Sequence, residues 1–122
     1  NFLLNVGPMP NGRIQSEFEE RLRAMGRWLE DYGESIYGTR GGPIAPGPWG
    51  VTTQNADTVF AHILDWDGRV LALPPIGREV VGARLVRTGE AIDVNVVDAA
   101  LLLSLPPRPA DLVDEVVALE IR

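Results

Sequence analysis

Seven short apolar runs between residues 51 and 122 constrain the fold of this chain more than any other feature. Each run is rich in β-branched residues or alternates apolar with polar residues, as β-strands in half-buried sheets do. Turn-forming pairs such as Asp67-Gly68 and Thr88-Gly89 separate the runs. The predicted strands are Val51–Thr53, Thr58–Trp66, Val70–Leu73, Val80–Arg87, Ile92–Val97, Leu101–Leu105 and Val113–Ile121. Short strands at this spacing predict an antiparallel β-sandwich.

One amphipathic helix is predicted ahead of the sandwich. Ser16 is followed three residues later by Glu19, a capping-box pattern that marks a helix start. Apolar residues then recur at steps of four and three, which places them on one helix face. That face consists of Phe18, Leu22, Met25, Leu29 and Tyr32. Gly33 follows these residues and predicts the end of the helix.

The N-terminal run Asn1–Pro8 is apolar and ends in Gly-Pro, which predicts a strand buried on both faces, as in a parallel sheet. Such a strand needs neighbours, and the chain has no initiator Met. We therefore expect a processed product or a piece of a larger protein. Pro10 and Asn11-Gly12 predict a loop before the helix. A Gly/Pro-rich linker at 38–50 is predicted to separate the helix from the sandwich.

Composition excludes several classes of function. The net charge is −6, whereas a nucleic-acid-binding face is basic. The chain has no Cys and one His, which excludes thiol chemistry and Cys-ligated metals and argues against a zinc site. The most apolar stretch, Ala99–Leu105, is far shorter than the roughly 20 residues that span a bilayer. We expect no cofactor, no metal, no nucleic-acid partner and no membrane partner, and the compartment stays open.

Three groups of residues could form a site. His62 is the only histidine around which a Ser-His-Asp triad could be built, although a structural role inside a strand is the simpler interpretation. Asp65 and Asp67 would share a strand face at roughly 7 Å, a spacing that could suit hydrolytic carboxylates. Alternatively, Asp67-Gly68 forms a hairpin turn and Asp65 is a solvated strand end. Trp49 and Trp66 are candidates for stacking on a sugar, with packing as the alternative.

Several runs in the first 53 residues are more specific than a generic sandwich. They are Asn1-Phe2-Leu3-Leu4-Asn5-Val6-Gly7-Pro8, Asn11-Gly12-Arg13-Ile14, Gly33-Glu34-Ser35-Ile36-Tyr37-Gly38-Thr39-Arg40 and Pro48-Trp49-Gly50-Val51-Thr52-Thr53. In this order they resemble the closing strand, loop and helix of the catalytic barrel in α-L-fucosidases of glycoside hydrolase family 29. The sandwich is similar to the family's C-terminal domain. Asn11 stands where the family more often has Asp, and a turn tolerates either residue.

The resemblance implies a mainly β fold: an antiparallel β-sandwich of about seven strands, preceded by one strand and one α-helix left over from a (β/α)8 barrel. It implies a barrel remnant at 1–37, the linker at 38–50 and the C-terminal sandwich at 51–122. Family enzymes hydrolyse terminal α-L-fucosides with retention, through two carboxylates about 5 Å apart. The family's catalytic and fucose-binding residues lie upstream of the matching segment, so none is carried over onto this chain.

The expected function is that of a C-terminal fragment or truncated form of an α-L-fucosidase, acting as an ancillary, structural domain without the catalytic carboxylates. A stand-alone carbohydrate-binding or self-associating module is the alternative, with fucosylated glycan as a candidate partner. A small glycoside hydrolase with a new site near His62, Asp65 and Asp67 is the third hypothesis. Self-association is expected because uncovered apolar surface pairs readily with another copy. The residues concerned are Phe2, Leu3, Leu4 and Val6, and the helix face Phe18, Leu22, Met25 and Leu29.

Overall fold

The predicted strands form and assemble into two antiparallel sheets. The structure is a computed structural model that describes residues 2–67 and 69–122. Within these residues it contains one α-helix, α1 (Ser16–Tyr32), one short 3₁₀ helix (Gly33–Ser35) and eight strands. The strands are β1 (Arg40–Gly41), β2 (Gly50–Gln54), β3 (Thr58–Ile63), β4 (Val70–Leu73), β5 (Val80–Leu85), β6 (Val94–Val97), β7 (Ala100–Ser104) and β8 (Glu115–Ile121). The mainly β fold is therefore confirmed.

The chain divides into two units, one up to Gly33 and the other from Glu34 to Arg122. The second unit holds both sheets. The five-stranded sheet has the order β1-β2-β3-β8-β5 and the three-stranded sheet the order β4-β7-β6, with antiparallel pairing throughout. Alternate residues of both sheets form one apolar core, as a sandwich requires. Its most buried members include Val59, Ala61, Ile63, Leu73, Leu85, Leu103, Val117 and Leu119.

The five-stranded sheet is buried on both faces at its centre. On the face opposite the core, Phe60 of β3 and Val116 and Ala118 of β8 are also buried. The three-stranded sheet is different, since Val70 and Val97 on its outer face are 57% and 50% exposed. Polar side chains in the five-stranded sheet therefore need hydrogen-bond partners within the protein, because water has little access to them.

The N-terminal unit contains the helix but no strand among its described residues. Residues 2–9 have no regular secondary structure, so the predicted strand Asn1–Pro8 is not formed in the described part, and Asn1 lies outside it. A parallel strand exists only when a neighbour pairs with it, and no described strand does so here. The predicted loop is confirmed: the Gly12 N–H donates to the Met9 carbonyl at 2.8 Å, with Gly12 at φ +80°.

The helix spans the predicted residues, but its capping differs. The N-cap is Gln15, without a side-chain cap, and the Ser16 hydroxyl donates to the Glu17 carboxylate at 3.1 Å. The predicted capping box is wrong because Ser16 is already helical and Glu19 pairs with Arg23 instead, at 2.6 Å. Gly33 follows the last helical residue as predicted, with a right-handed φ of −56°.

Two further predictions need correction. The segment 38–50 is more than the predicted linker, because β1 lies within it and pairs with β2. The predicted hairpin at Asp67-Gly68 is wrong, because β3 and β4 belong to different sheets. The chain leaves the first sheet at Ile63 and crosses to the second before Val70. Gly68 itself lies outside the described residues.

Candidate functional site

His62 lies at the centre of a buried polar network on the outer face of the five-stranded sheet. Its Nδ1 is 2.9 Å from Oδ2 of Asp114, and its Nε2 is 3.3 Å from Oγ1 of Thr53. The Thr53 hydroxyl in turn donates to the Ser35 carbonyl at 2.5 Å. His62 and Asp114 are 5% and 8% exposed. The register places them together, since His62 pairs with Val116 across β3 and β8.

This network has the residue types of a hydrolytic triad, but its hydrogen bonds point elsewhere. A nucleophilic hydroxyl donates its proton to histidine and faces the substrate. Thr53 donates to a backbone carbonyl instead, and His62 is buried. The arrangement therefore ties β2, β3 and the approach to β8 to Ser35. These hydrogen bonds among the described residues support a structural role for His62.

The strand geometry on which the proposed carboxylate pair of Asp65 and Asp67 depends is absent. Because β3 ends at Ile63, neither residue lies on a strand, and the alternation of a strand does not place them on one face. Both are exposed, and Oδ1 of Asp65 is 3.6 Å from Nη1 of Arg108. An exposed ion pair of this kind contributes little to stability.

The two candidate sugar-stacking tryptophans pack against the core. Trp66, expected at an exposed strand end, is only 8% exposed, and the Arg108 guanidinium lies 4.9 Å from the centre of its ring. This cation–π contact occupies a face that a sugar would need. Trp49 is half-buried against the core, and its carbonyl accepts hydrogen bonds from the N–H groups of Leu64 and Asp65.

Glu115 is a buried charge outside the candidate residues predicted from the sequence. It is fully buried at the start of β8, on the core face, and its carboxylate oxygens make no hydrogen bond with the described residues. Nη2 of Arg87 is 3.7 Å from Oε2. Burial raises the pKa of Glu115, Arg87 opposes this, and the Asp114 charge adds to it.

A signal for these acidic residues is present in the sequence. Asp114 and Glu115 stand inside the predicted strand Val113–Ile121, which is otherwise apolar at almost every position. Charged residues are almost never fully buried without a partner, so an acidic pair opening such a strand marks a network. The partner of Asp114 could not be read from spacing, because His62 lies 52 residues away.

Two open clefts in the second unit lie apart from these residues. One, of about 350 Å³, is lined by Gly38–Arg40 and Gln54–Ala56. The other, of about 520 Å³, lies between 75–80 and the residues Val96, Ala99 and Leu101. Among residues 2–67 and 69–122, no cluster of three or more His, Cys, Asp or Glu could hold a metal ion. No helix in the same residues is long and apolar enough to cross a membrane.

Comparison with known proteins gives one consistent relationship. A family model described as α-L-fucosidase matches residues 1–34. An α-L-fucosidase of Branchiostoma floridae is 45% identical over 54% of this chain and 15% of its own length. The tissue α-L-fucosidase of Macaca fascicularis is 34% identical over 93% of this chain and 25% of its own length. The chain thus spans a quarter or less of these curated relatives.

Solved structures extend the match over the whole fold. α-L-Fucosidase isoenzyme 1 from Paenibacillus thiaminolyticus superposes with a TM-score of 0.89 and 29% identity, covering 100% of this chain and 31% of that one. A family 29 α-L-fucosidase from Bacteroides thetaiotaomicron, trapped as a covalent intermediate, gives 0.85 and 26%, covering 97% and 28%. The chain belongs to the α-L-fucosidases of glycoside hydrolase family 29 and corresponds to their C-terminal part.

Proposed function

We propose that this chain serves as the ancillary C-terminal part of an α-L-fucosidase and has no hydrolytic site of its own. In the complete enzyme, terminal α-L-fucosides would be hydrolysed with retention by two carboxylates. Those carboxylates would lie in the part of the enzyme that this chain does not match. The sandwich would stabilise that part.

The extent of the structural match carries this proposal. The whole chain superposes on less than a third of the Paenibacillus enzyme, with a TM-score of 0.89. A segment so similar in backbone, yet so small a share of the enzyme, fits a supporting role better than an independent activity. The polar geometry agrees, since the candidate pair Asp65 and Asp67 is exposed and off the strand.

An exchange experiment tests the supporting role. The matching segment of the Paenibacillus enzyme is replaced by this chain, and a second variant lacks the segment altogether. We expect the exchanged enzyme to hydrolyse an aryl α-L-fucoside, and the deletion variant to be inactive or insoluble. A deletion variant as active and as stable as the intact enzyme would refute the supporting role.

The absence of an independent activity is tested with this chain alone. We expect no turnover of an aryl α-L-fucoside above the blank. Turnover that disappears in His62→Ala or Asp65→Ala would overturn the proposal, because a contaminating enzyme would not respond to these substitutions. We also expect no heat on titration with fucosylated glycans in the millimolar range, since Trp49 and Trp66 pack inward.

A second proposal concerns self-association of the isolated chain, and the exposed apolar residues of the N-terminal unit favour it. Phe2, Leu3 and Leu4 are 82%, 90% and 47% exposed, and Val6 adjoins them. On the helix face, Phe18 and Met25 are exposed, while Leu22 and Leu29 are half-buried. Apolar surface of this kind stabilises contact between copies.

Sedimentation at increasing concentration measures this association. We expect a concentration-dependent rise in mass that a Phe2→Ser/Leu3→Ser variant loses. Val113→Ser is the matched control, because Val113 is 75% exposed in the other unit and should leave the association unchanged. A monomer at all concentrations would contradict the proposal.

A further inference from the structure

Asn11 differs from the other asparagines of the chain in the residue that follows it. A backbone nitrogen can attack the side-chain amide carbon of the preceding asparagine and close a five-membered ring. A side chain on the attacking residue hinders this approach, and glycine has none. The residues that follow the five asparagines of the chain are Phe2, Val6, Gly12, Ala56 and Val96.

The turn around Asn11 leaves the reacting atoms open to solvent. Asn11 and Gly12 are both exposed. Apart from the chain neighbours of Gly12, no atom of the described residues lies within 4 Å of the point that a Cβ would occupy there. The Gly12 N–H donates to the Met9 carbonyl at 2.8 Å and must leave it before the nitrogen can attack. An exposed turn opens at low free energy, so this bond is readily lost.

A second hydrogen bond activates the Asn11 side chain as the electrophile. The Arg13 N–H donates to Oδ1 of Asn11 at 3.1 Å. A donor at this oxygen stabilises the negative charge that develops on it when the amide carbon is attacked, as an oxyanion hole does. This bond lies within residues 11–13, so it does not depend on the bond between Gly12 and Met9.

Asn55 has a similar carbonyl but lacks the unhindered nucleophile. Its Oδ1 accepts from the N–H groups of Asp57 and Thr58 at 3.0 and 2.9 Å, and its side chain is also exposed. The residue that follows it is Ala56, which carries a Cβ. Asn55 is therefore a matched control within the same chain.

We propose that Asn11 is a site of spontaneous deamidation, through a succinimide that it forms with Gly12. The Gly12 nitrogen loses its proton to solvent and bonds to Cγ of Asn11. The bond from Cγ to the side-chain nitrogen breaks, and ammonia leaves. Water then adds to one of the two ring carbonyls and opens the ring to aspartate or isoaspartate. The net reaction consumes one water, releases one ammonia and adds one negative charge.

The two products affect the turn differently. Aspartate keeps the main chain and the oxygen that accepts from Arg13. Isoaspartate passes the main chain through the former side chain and lengthens it by one carbon, so the bond from Gly12 to Met9 cannot close in the same geometry. The reaction needs no enzyme and no cofactor, and it is independent of the proposed supporting role.

Peptide mapping of the intact chain tests the proposal. The protein is incubated in mildly alkaline buffer, cleaved at its arginines and sequenced by mass spectrometry. We expect residue 11 to gain one mass unit and to give two separable products, aspartate and isoaspartate. Its amide should be lost at least about tenfold faster than that of Asn55, which corresponds to a barrier lower by about 1.4 kcal/mol. A synthetic peptide with the sequence of residues 5–17 is incubated in parallel.

A variant and the peptide make each outcome decisive. Asn11→Gln keeps an amide in the turn but would have to close a larger ring, and we expect no mass gain at position 11. Equal rates at Asn11 and Asn55 would overturn the proposal, as would aspartate without isoaspartate, because direct hydrolysis makes no isoaspartate. If Asn11 stays intact while the peptide deamidates, the turn protects the side chain and the proposal is wrong.

Discussion

The two sheets of the sandwich differ in how many of their faces are buried. In the five-stranded sheet, the first five residues of β8, Glu115–Leu119, are all buried. In the three-stranded sheet, β7 alternates, with Leu101 and Leu103 buried and their neighbours half-exposed. Each of these strands pairs antiparallel with its neighbour, and both belong to the same sandwich. The difference lies in whether the outer face of the sheet has access to water.

That difference explains where the polar networks occur. On the open sheet, a polar side chain such as that of Asn95 is exposed, so water can satisfy its hydrogen-bonding groups. On the closed sheet, a polar residue must find a partner within the protein or remain unsatisfied. The hydrogen bond between His62 and Oδ2 of Asp114 is the first outcome, and Oδ1 of Asp114, which is buried without a hydrogen bond to the described residues, is the second.

The largest expected effects compare neighbouring positions in β7 and β8. We expect Leu103→Ala to lower the free energy of unfolding by about 2–5 kcal/mol, since Leu103 is fully buried. Leu102→Ala, on the open face, should lower it by less than about 1 kcal/mol. In β8, both Val116→Ala and Val117→Ala should cost about 1.5–3 kcal/mol, because both faces are buried. Urea denaturation measures the free energy of unfolding of all four variants. If Val116→Ala left this free energy unchanged, the outer face of the five-stranded sheet would be open to water.

The pairing of Arg87 with Glu115 predicts the next effect. Arg87→Gln would remove the guanidinium whose Nη2 lies 3.7 Å from Oε2 of Glu115, and would leave the buried carboxylate without a cation. We expect a loss of about 1–3 kcal/mol in the free energy of unfolding, since an uncompensated buried charge is costly. Arg69→Gln, which changes an exposed arginine near the open sheet, is the matched control and should stay within about 0.5 kcal/mol of the unmodified chain. Equal effects of the two would show that Glu115 needs no cation.

The pH dependence of stability should reveal the same carboxyl group. Burial raises the pKa of Glu115, so the folded state binds its proton more tightly than the unfolded state does. Stability contributed by this group is therefore highest below the ordinary glutamate range and falls as the pH rises through the raised pKa. The slope for one such group reaches at most about 1.4 kcal/mol per pH unit.

Glu115→Gln should remove that component. We expect the difference in unfolding free energy, variant minus unmodified chain, to grow from about pH 4 toward neutrality. A difference that is constant with pH would show that Glu115 ionises alike in the folded and unfolded states. Glu120→Gln, at the one exposed position of β8, is a control that keeps the slope.

The sequence predicted the open sheet better than the closed one. Val70–Leu73 was found with both predicted ends, because its apolar run is bounded by turn residues. The strand Thr58–Trp66 ends three residues early, at Ile63. Leu64 and Trp66 belong to the crossing between sheets, and Trp66 is buried there. An apolar residue in a buried crossing cannot be distinguished from one in a strand by its hydrophobicity.

The candidate site was predicted only in part. His62 was identified as the one possible base, and its structural interpretation agrees with its buried hydrogen bonds. Asp114 lies beside His62 because of the register between β3 and β8, which are distant in sequence. Local spacing along the chain does not predict that register. Asp65 and Asp67 were paired only because a strand was extended too far.

The smallest effect tests the open sheet at its turn. Asp98 and Ala99 connect β6 to β7, and their φ angles are +49° and +68°. A two-residue hairpin of this kind needs positive φ at both positions, which glycine adopts without the penalty of a Cβ. We expect Ala99→Gly to raise the free energy of unfolding by up to about 1 kcal/mol, because relief of the left-handed strain exceeds the added chain entropy. Ala100→Gly, in β7 itself, should lower it by about 0.5–1 kcal/mol. Urea denaturation of both variants measures these changes. If Ala99→Gly were the more destabilising of the two, the left-handed conformation of Ala99 would carry no strain, and this explanation of the turn would be wrong.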